Sequence, residues 1–143
     1  MRIFNKQRSH LMTIDAYIEK QPAERRQLLT AIHNSITGID KTVTAAVGEM
    51  MCKQMILYHA GVFKYGLSSV KNYISLHAMP VYGSPGLHAK YKALLPKAKF
   101  QKGCINFTSE KEMPLAVVVQ LITDCAKIDL AKIREAWLAA RKK

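Results

Sequence analysis

Four strand-like segments, gathered in the middle of the chain, set the fold class that this sequence can adopt. They are rich in apolar, aromatic and β-branched residues and span residues 51–58, 62–67, 72–79 and 103–107. Short connections join the first three segments, and such connections favour antiparallel neighbours. Helical periodicity precedes and follows the strands. The order predicts an α+β domain, with a mostly antiparallel sheet of about four or five strands and helices packed on one face.

The helices before the strands have recognisable ends. Thr13 is placed to cap a helix that runs to about Lys20. Pro22 suits the first turn of a second helix, which Gly38 is expected to end. A further short helical turn is predicted within residues 40–48, starting at an aspartate cap.

After the third strand, breakers and helical stripes alternate. A short helix is predicted over residues 87–95, followed by a basic connector over residues 97–102. Pro114 opens a strongly apolar helix. Asp129 is expected to cap the last helix, whose predicted packing face consists of Ile133, Trp137 and Leu138.

The length of 143 residues predicts a single domain over residues 1–143, with residues 1–12 as a loose leader. Three widely spaced cysteines indicate free, mostly buried thiols in a reducing compartment. The basic start lacks an apolar core, so it does not resemble a signal peptide. No apolar run reaches the about 20 residues that a membrane span needs. A cytoplasmic location without membrane attachment is therefore expected.

Charge is distributed unevenly along the chain. Residues 50–109 contain no acid and eight of the lysines, whereas the formal net charge of the whole chain is +12. The same stretch holds five of the six tyrosines. A local excess of positive charge attracts anions. The middle of the chain is therefore where a ligand site is predicted.

The predicted site lies on the sheet face that the helices leave uncovered. Alternation in the third strand places Ile74, Leu76 and Ala78 on one face and Tyr73, Ser75 and His77 on the other. Lysines and aromatic side chains interleave along the predicted strands. The candidate ligand-binding residues are Lys53, Lys64, Tyr65, Lys71, Tyr73 and His77.

Three interpretations of this basic face stay open. It is a site for an anionic small ligand or an acidic protein partner, a platform for single-stranded nucleic acid, or simply a solvated surface. Stacking rings and phosphate contacts favour the second interpretation. The absence of arginine from residues 50–109 weakens it, because specific phosphate and base recognition favours arginine forks. Lysines 90, 92, 97, 99 and 102 form a second cluster that is either solvated or the rim of the same site.

Catalytic and metal motifs are weak. The chain has no G-x-S-x-G, Walker or G-x-G-x-x-G motif, so neither a catalytic residue nor a cofactor is predicted. Cys52, His77 and Cys104 could form a metal site in space, but without the usual ligand spacing. A reactive thiolate at Cys104, favoured by Lys102, is the remaining route to an enzyme.

Several motifs resemble those of the YdhG-like family, a domain of unknown function. Residues 13–18 with Pro22 resemble its opening motif, and residues 70–77 and 102–107 resemble two of its strands. Pro114 and Leu115 are similar to its helix start. The resemblance implies an antiparallel sheet packed on helices. Some members carry a frataxin-like iron-chaperone label, which implies iron carriage as an alternative, although iron favours oxygen ligands and the predicted strands contain no acid.

Overall fold

The structure, a computed structural model, describes residues 12–101 and 103–141. The helices of this part of the chain are α1 Ile14–Glu19, α2 Ala23–Ile39, α3 Met79–Tyr82, α4 Pro85–Leu94, α5 Leu115–Ala126 and α6 Leu130–Arg141. Its strands are β1 Thr44–Met50, β2 Lys53–Ala60, β3 Val62–Ser69, β4 Ile74–Ala78, β5 Lys99–Gln101 and β6 Cys104–Phe107. Of the predicted leader, only Met12 lies within the described residues. No helix in these two ranges has the length and hydrophobicity needed to cross a membrane.

The strands form one six-stranded sheet in the order β1-β2-β3-β4-β6-β5. Every neighbouring pair is antiparallel. The α+β prediction is confirmed, and the sheet has slightly more strands than expected. The chain passes from β4 through α3, α4 and β5 before it reaches β6. Because β6 pairs with β4, β5 lies at the edge of the sheet.

The two strands that the sequence did not predict are β1 and β5. The helical turn predicted within residues 40–48 is wrong, because Thr44–Met50 pairs with β2 along its whole length. Ala45 and Ala46 favour helix intrinsically, but pairing with a neighbouring strand overrides that preference. The predicted connector over residues 97–102 contains β5, whose three residues are too few to show a period.

The helix starts follow the predicted caps more closely than the ends do. Thr13 Oγ1 accepts a hydrogen bond from the Ala16 amide at 3.0 Å, as an N-cap residue should. The predicted stop at Gly38 is wrong by two residues, since α2 continues to Ile39 and Asp40 is its C-cap. Gly38 is exposed and a Cβ there would meet nothing within 4 Å, so it fits within the helix.

A single hydrophobic core lies between the sheet and the helices α1, α2 and α5. Its fully buried members include Ile32 of α2, Ile122 of α5, Leu67 of β3 and Leu76 of β4. Helix α2 packs against α5, so both lie on the same face of the sheet. The predicted one-sided helical layer is therefore present.

Helix α6 does not pack as expected. Ile133, Trp137 and Leu138 were predicted to bury, but they are 57%, 55% and 43% exposed. That prediction is wrong because α6 touches the sheet near its own first turn, where Ala131 lies beside Gly61. The rest of the helix extends past the core.

A β-bulge in β3 changes which side chains face the helices. Tyr58 pairs with Tyr65, whereas the next residue, His59, pairs with Phe63. Lys64 is therefore the extra residue of the bulge. Because alternation is interrupted there, Lys64 and Tyr65 both point to the helix-covered side, and Phe63 points to the opposite side.

Candidate functional site

The sheet face opposite the helices, called the second face here, can be traced through the strand register. One row across it runs through Leu57, Gly66, His77, Cys104 and Gln101. A second row runs through Ser68, Ser75, Asn106 and Lys99. Lys53, the first residue of β2, lies on the same face. This is the face on which the sequence predicted a ligand site.

The second face shields some of its own residues. Ser75, His77 and Asn106 are only 5%, 7% and 6% exposed. The Phe63 ring lies over Gly66, where a Cβ would come within 3.0 Å of its Cζ. Phe63 also meets His77 edge to face, with ring centroids 6.5 Å apart. The second face is therefore partly shielded by its own side chains and is not a flat, open surface.

Two of the predicted site residues do not lie on this face. Lys64 is 2% exposed and its Nζ lies 2.7 Å from Asp40 Oδ2, in a buried ion pair. Tyr65 is fully buried, and its hydroxyl donates to the same Asp40 oxygen at 2.7 Å. Their predicted place on the open face is wrong because the bulge turns both inward. A ligand on the second face would not reach them.

Asp40 is held as a carboxylate by its neighbours. Burial alone would raise its pKa, but hydrogen bonds from Lys64, Thr42 and Tyr65 outweigh burial, so the pKa lies below its ordinary value. The same carboxylate raises the pKa of the Tyr65 hydroxyl, in addition to the larger effect of burial. This cluster is a structural part of the core.

Lys53 and His77 do lie on the second face, with Cys104 opposite His77 in the register. Burial lowers the pKa of His77, and the charge of Lys53 lowers it further, so the imidazole is neutral near pH 7. Burial raises the pKa of the Cys104 thiol, and Lys53 offsets this only in part. The raised pKa favours the protonated thiol and gives no support to the alternative of a reactive thiolate at Cys104. Lys102, its proposed activator, lies outside the described residues.

The cysteines differ in exposure. All three are free, but Cys52 is exposed, Cys104 is half-buried and only Cys125 is buried. The expectation of mostly buried thiols is thus wrong for Cys52, which lies in the turn between β1 and β2. Within residues 12–101 and 103–141, no group of three or more histidines, cysteines and acids could hold a metal ion.

Lys71 and Tyr73 lie within the connection between β3 and β4. Lys71 is exposed, and its carbonyl accepts a hydrogen bond from the Arg25 guanidinium at 3.3 Å. The turn is further held by Arg25 through the carbonyl of Val70 at 2.5 Å. Tyr73 is half-buried and lines a cavity at the β5 end of the second face.

This cavity, called the lysine cavity here, has a volume of about 370 Å³. Its wall combines two lysines, three side-chain amides, a phenol and a carboxylate. The lining residues are Asn72, Tyr73, Lys97, Lys99, Gln101, Asn106, Phe107, Thr108 and Glu112. A volume of several hundred cubic ångströms is typical of small-molecule sites.

The floor of the lysine cavity is a hydrogen-bonded row across three strands. The Ser75 hydroxyl donates to Asn106 Oδ1, and Asn106 Nδ2 donates to Gln101 Oε1 at 3.0 Å. These bonds fix the orientation of the Asn106 amide in the sheet. A floor of ordered amides is preorganised for polar recognition.

The lysines of the acid-free stretch differ in whether they are neutralised. Lys64 pairs with Asp40, and Lys90 lies 2.7 Å from Asp124. In the described part of the chain, no acid lies within 4.0 Å of the ammonium group of Lys53, Lys71, Lys92, Lys97 or Lys99. The carboxylate of the cavity, Glu112, accepts a hydrogen bond from the Thr108 amide at 2.7 Å. Lys97 and Lys99 therefore keep their positive charge available to a ligand.

Lys97 and Lys99 were predicted only as part of a second basic cluster, either solvated or at the rim of the site, and Gln101 and Asn106 were not predicted as site residues. The available signal was the alternation of Lys99, Phe100 and Gln101, which puts the two polar residues on one face of a strand. A strand of three residues is too short for this alternation to predict it.

The fold and the lysine cavity define a class: an α+β domain with one helical layer and a polar, lysine-lined cavity on the opposite sheet face. Comparisons with protein-family models, curated proteins and solved structures found no match, so the class rests on geometry.

Proposed function

We propose that the protein is a binding domain for an anionic small molecule, which occupies the lysine cavity. The observation that carries this proposal is the convergence of Lys97 and Lys99, unpaired with acids among the described residues, on a cavity with Tyr73 and an ordered amide floor. A phosphorylated or carboxylated ligand would accept charge-assisted hydrogen bonds from the two ammonium groups.

The amides and the phenol would select among anions. Gln101 and Asn106 offer polar groups to a ligand, and Tyr73 offers a ring for stacking and a hydroxyl for hydrogen bonding. Glu112 would favour a ligand that also carries a donor, such as a hydroxyl or an amine. These features support a small metabolite more than an acidic protein surface.

Single-stranded nucleic acid is the second candidate function. It depended on a continuous platform of aromatic rings and lysines, but Lys64 and Tyr65 belong to the core. The lysines that lie on strands of the second face, Lys53 and Lys99, belong to β2 and β5, at separate positions in the strand order, and Lys71 lies in the turn after β3. The geometry therefore favours a single bound anion over an extended strand.

The cellular setting and the lineage also remain proposals. A cytoplasmic location agrees with the three free thiols. The antiparallel sheet agrees with the fold that the resemblance to the YdhG-like family implies. Its iron-carrier alternative gains no ligand group of histidines, cysteines and acids from the described residues.

The proposal can be tested with inorganic phosphate, pyrophosphate, citrate and a panel of phosphorylated metabolites, using thermal shift first and calorimetry for those that stabilise. The variant K97Q/K99Q should weaken binding by roughly tenfold or more, because it removes two charged hydrogen bonds, each worth about 1.5–3 kcal/mol before solvent screening at these exposed lysines reduces the value. Added salt should weaken binding as well, since both lysines are exposed.

The matched control is K92Q/K111Q, which makes the same charge change at exposed lysines outside the cavity. Equal losses in the two variants would show that net charge, not the cavity, attracts the anion. Fluorescence anisotropy with a labelled single-stranded oligonucleotide tests the second candidate. Tight binding with a steep salt slope that pyrophosphate cannot compete away would favour nucleic acid instead.

A further inference from the structure

A second cavity on the same sheet face is lined by sulfur. It has a volume of about 430 Å³, and three methionines, one histidine and two aromatic rings surround it. The methionine cavity, as it is called here, is lined by Met50, Met51, Phe63, His77, Met79, Tyr82 and Gly103. None of these residues lines the lysine cavity, so the following inference does not depend on the proposed function.

The three thioethers and the imidazole of this cavity come from three places in the chain. Met50 and Met51 come from the end of β1 and the hairpin that follows, His77 from β4, and Met79 from the start of α3. Met79 Cε lies 3.5 Å from where a Gly103 Cβ would be, so the glycine leaves room for the thioether. The β1–β2 hairpin, β4 and α3 therefore bring three thioethers and one imidazole to one cavity.

The hairpin that supplies Met51 has an unfavourable backbone. Met51 and Cys52 join β1 to β2 and have φ angles of 55° and 62°. Two-residue hairpins with positive φ at both positions strongly prefer asparagine and glycine. Here a methionine and a cysteine occupy them, and Met51 is 64% exposed. Strain of this kind concentrates at functional sites.

The ligand chemistry can be narrowed from the atoms present. Thioether sulfur and neutral imidazole are soft or intermediate ligands, which suit Cu(I) and similar d¹⁰ cations. No carboxylate lines the cavity, so hard divalent cations, which prefer oxygen ligands, are disfavoured. None of the described residues forms a hydrogen bond with the His77 ring.

We infer that the methionine cavity is a binding site for a soft monovalent cation of the Cu(I) and Ag(I) class, with Met50, Met51, Met79 and His77 as its ligands. Cys52 follows Met51 directly and is exposed, so its thiol is a neighbouring donor that must be separated from the site in any test. The inference concerns binding only and involves no redox step.

The test uses the full chain with ¹³C-labelled methionine methyl groups and the substitutions C52S and C104S, which remove the two accessible thiols. Ag(I), a redox-inert probe, is added while the methyl signals are recorded. The signals of Met50, Met51 and Met79 should shift with saturation at one equivalent. The signal of Met113, which is fully buried in the core, should stay in place.

The affinity for Cu(I) is measured by its transfer from a chromophoric chelator to the same protein. Replacing the three thioethers in M50L/M51L/M79L should weaken binding at least about tenfold, since even outer partners of metal sites cost that much. These leucines are close in volume, so the fold should persist. The control M12L alters a half-buried methionine outside the cavity and should leave the affinity unchanged.

Three results would overturn the inference. They are the loss of all binding in C52S/C104S, equal shifts of Met113 and the cavity methionines, and an unchanged affinity in the triple leucine variant. The first would assign the metal to the thiols, the second to unspecific binding, and the third to ligands elsewhere.

Discussion

The buried ion pair between Lys64 and Asp40 is the least expected arrangement at the residue scale. Both side chains are almost fully buried, and Thr42 and Tyr65 supply the remaining hydrogen bonds to the carboxylate. A buried pair need not stabilise relative to apolar residues, but removing one partner leaves an unpaired charge in the core. Lys64 is therefore a structural residue and not a ligand contact.

Substituting Lys64 tests this role. K64M should lower the free energy of unfolding by about 3–5 kcal/mol, because Asp40 would stay buried without its cation. Urea denaturation provides the measurement. The double variant K64M/D40N should lose less than the sum of the single losses, since the two residues are coupled. K92M, at an exposed lysine, should change stability by less than about 0.5 kcal/mol. A similarly small effect of K64M would contradict the assignment.

Asp40 also predicts an acid response. Its pKa is lower in the folded protein than in the unfolded chain, where it is about 3.9. Its stabilisation is therefore fully present above that value and is lost as the pH falls through the lower, folded pKa. Urea midpoints from neutral pH to about pH 2.5 should fall less steeply for D40N than for the natural chain. E110Q, at an exposed acid, is the control, and parallel curves for D40N and the natural protein would refute the prediction.

At the scale of elements, the hairpin between β1 and β2 combines regular pairing with a costly turn. Met50 pairs with Lys53 across it, so no residue is left to relax the connection. Each positive φ costs a residue with a Cβ roughly 1–2 kcal/mol relative to its right-handed conformation. The local sequence here disagrees with the local backbone.

Replacing Met51 and Cys52 with the residues that this turn prefers should therefore stabilise the protein. M51N/C52G should raise the free energy of unfolding by about 1–2 kcal/mol, as measured by thermal and urea denaturation. G61A in the next hairpin should have the opposite effect, because Gly61 has a φ of 78° and its Cβ would lie 3.2 Å from Ala131. No gain in M51N/C52G would show that the turn is not strained.

Elements whose signal lies within one short segment could be predicted from the sequence, and those that depend on a paired strand could not. The cap at Thr13, the alternation around Leu76 and the apolar stripe of α5 are local, and each was readable. Strand β1 was missed because its alanines gain their strand conformation from β2. The place of Lys64 was missed because a bulge is a property of two paired strands and leaves no mark in the spacing of one.

The whole molecule is strongly basic, and its charges are unequally compensated. The formal net charge is +12, yet two lysines of the acid-free stretch are paired and five are not paired with described acids. The prediction of a basic sheet face is therefore right for the place of Lys53 and wrong for that of Lys64, whereas Lys99, predicted within a connector, lies on this face as part of β5. The lysine cavity could not be located from sequence, because it needs β5 to lie beside β6.

Repulsion among the exposed lysines predicts a salt effect on stability. Raising NaCl from about 20 mM to about 300 mM should raise the melting temperature. At the higher ionic strength the Debye length falls below about 10 Å, so repulsion between more distant lysines is largely screened. The variant K92E/K111E replaces a positive by a negative charge at each of two sites and lowers the net charge from +12 to +8. The rise of its melting temperature with salt should therefore be smaller. A melting temperature that falls with salt in both proteins would exclude net repulsion.

The extra residue in β3 has a consequence for anyone who edits this sheet. Deleting Lys64 would restore an uninterrupted alternation in β3, because Phe63 would still pair with His59 and Tyr65 with Tyr58. Phe63 would stay beside His77 in the wall of the methionine cavity, whereas Asp40 would lose its buried cation. The extra residue thus adds one inward-facing position to β3 and leaves the residues on both sides of it on their own faces.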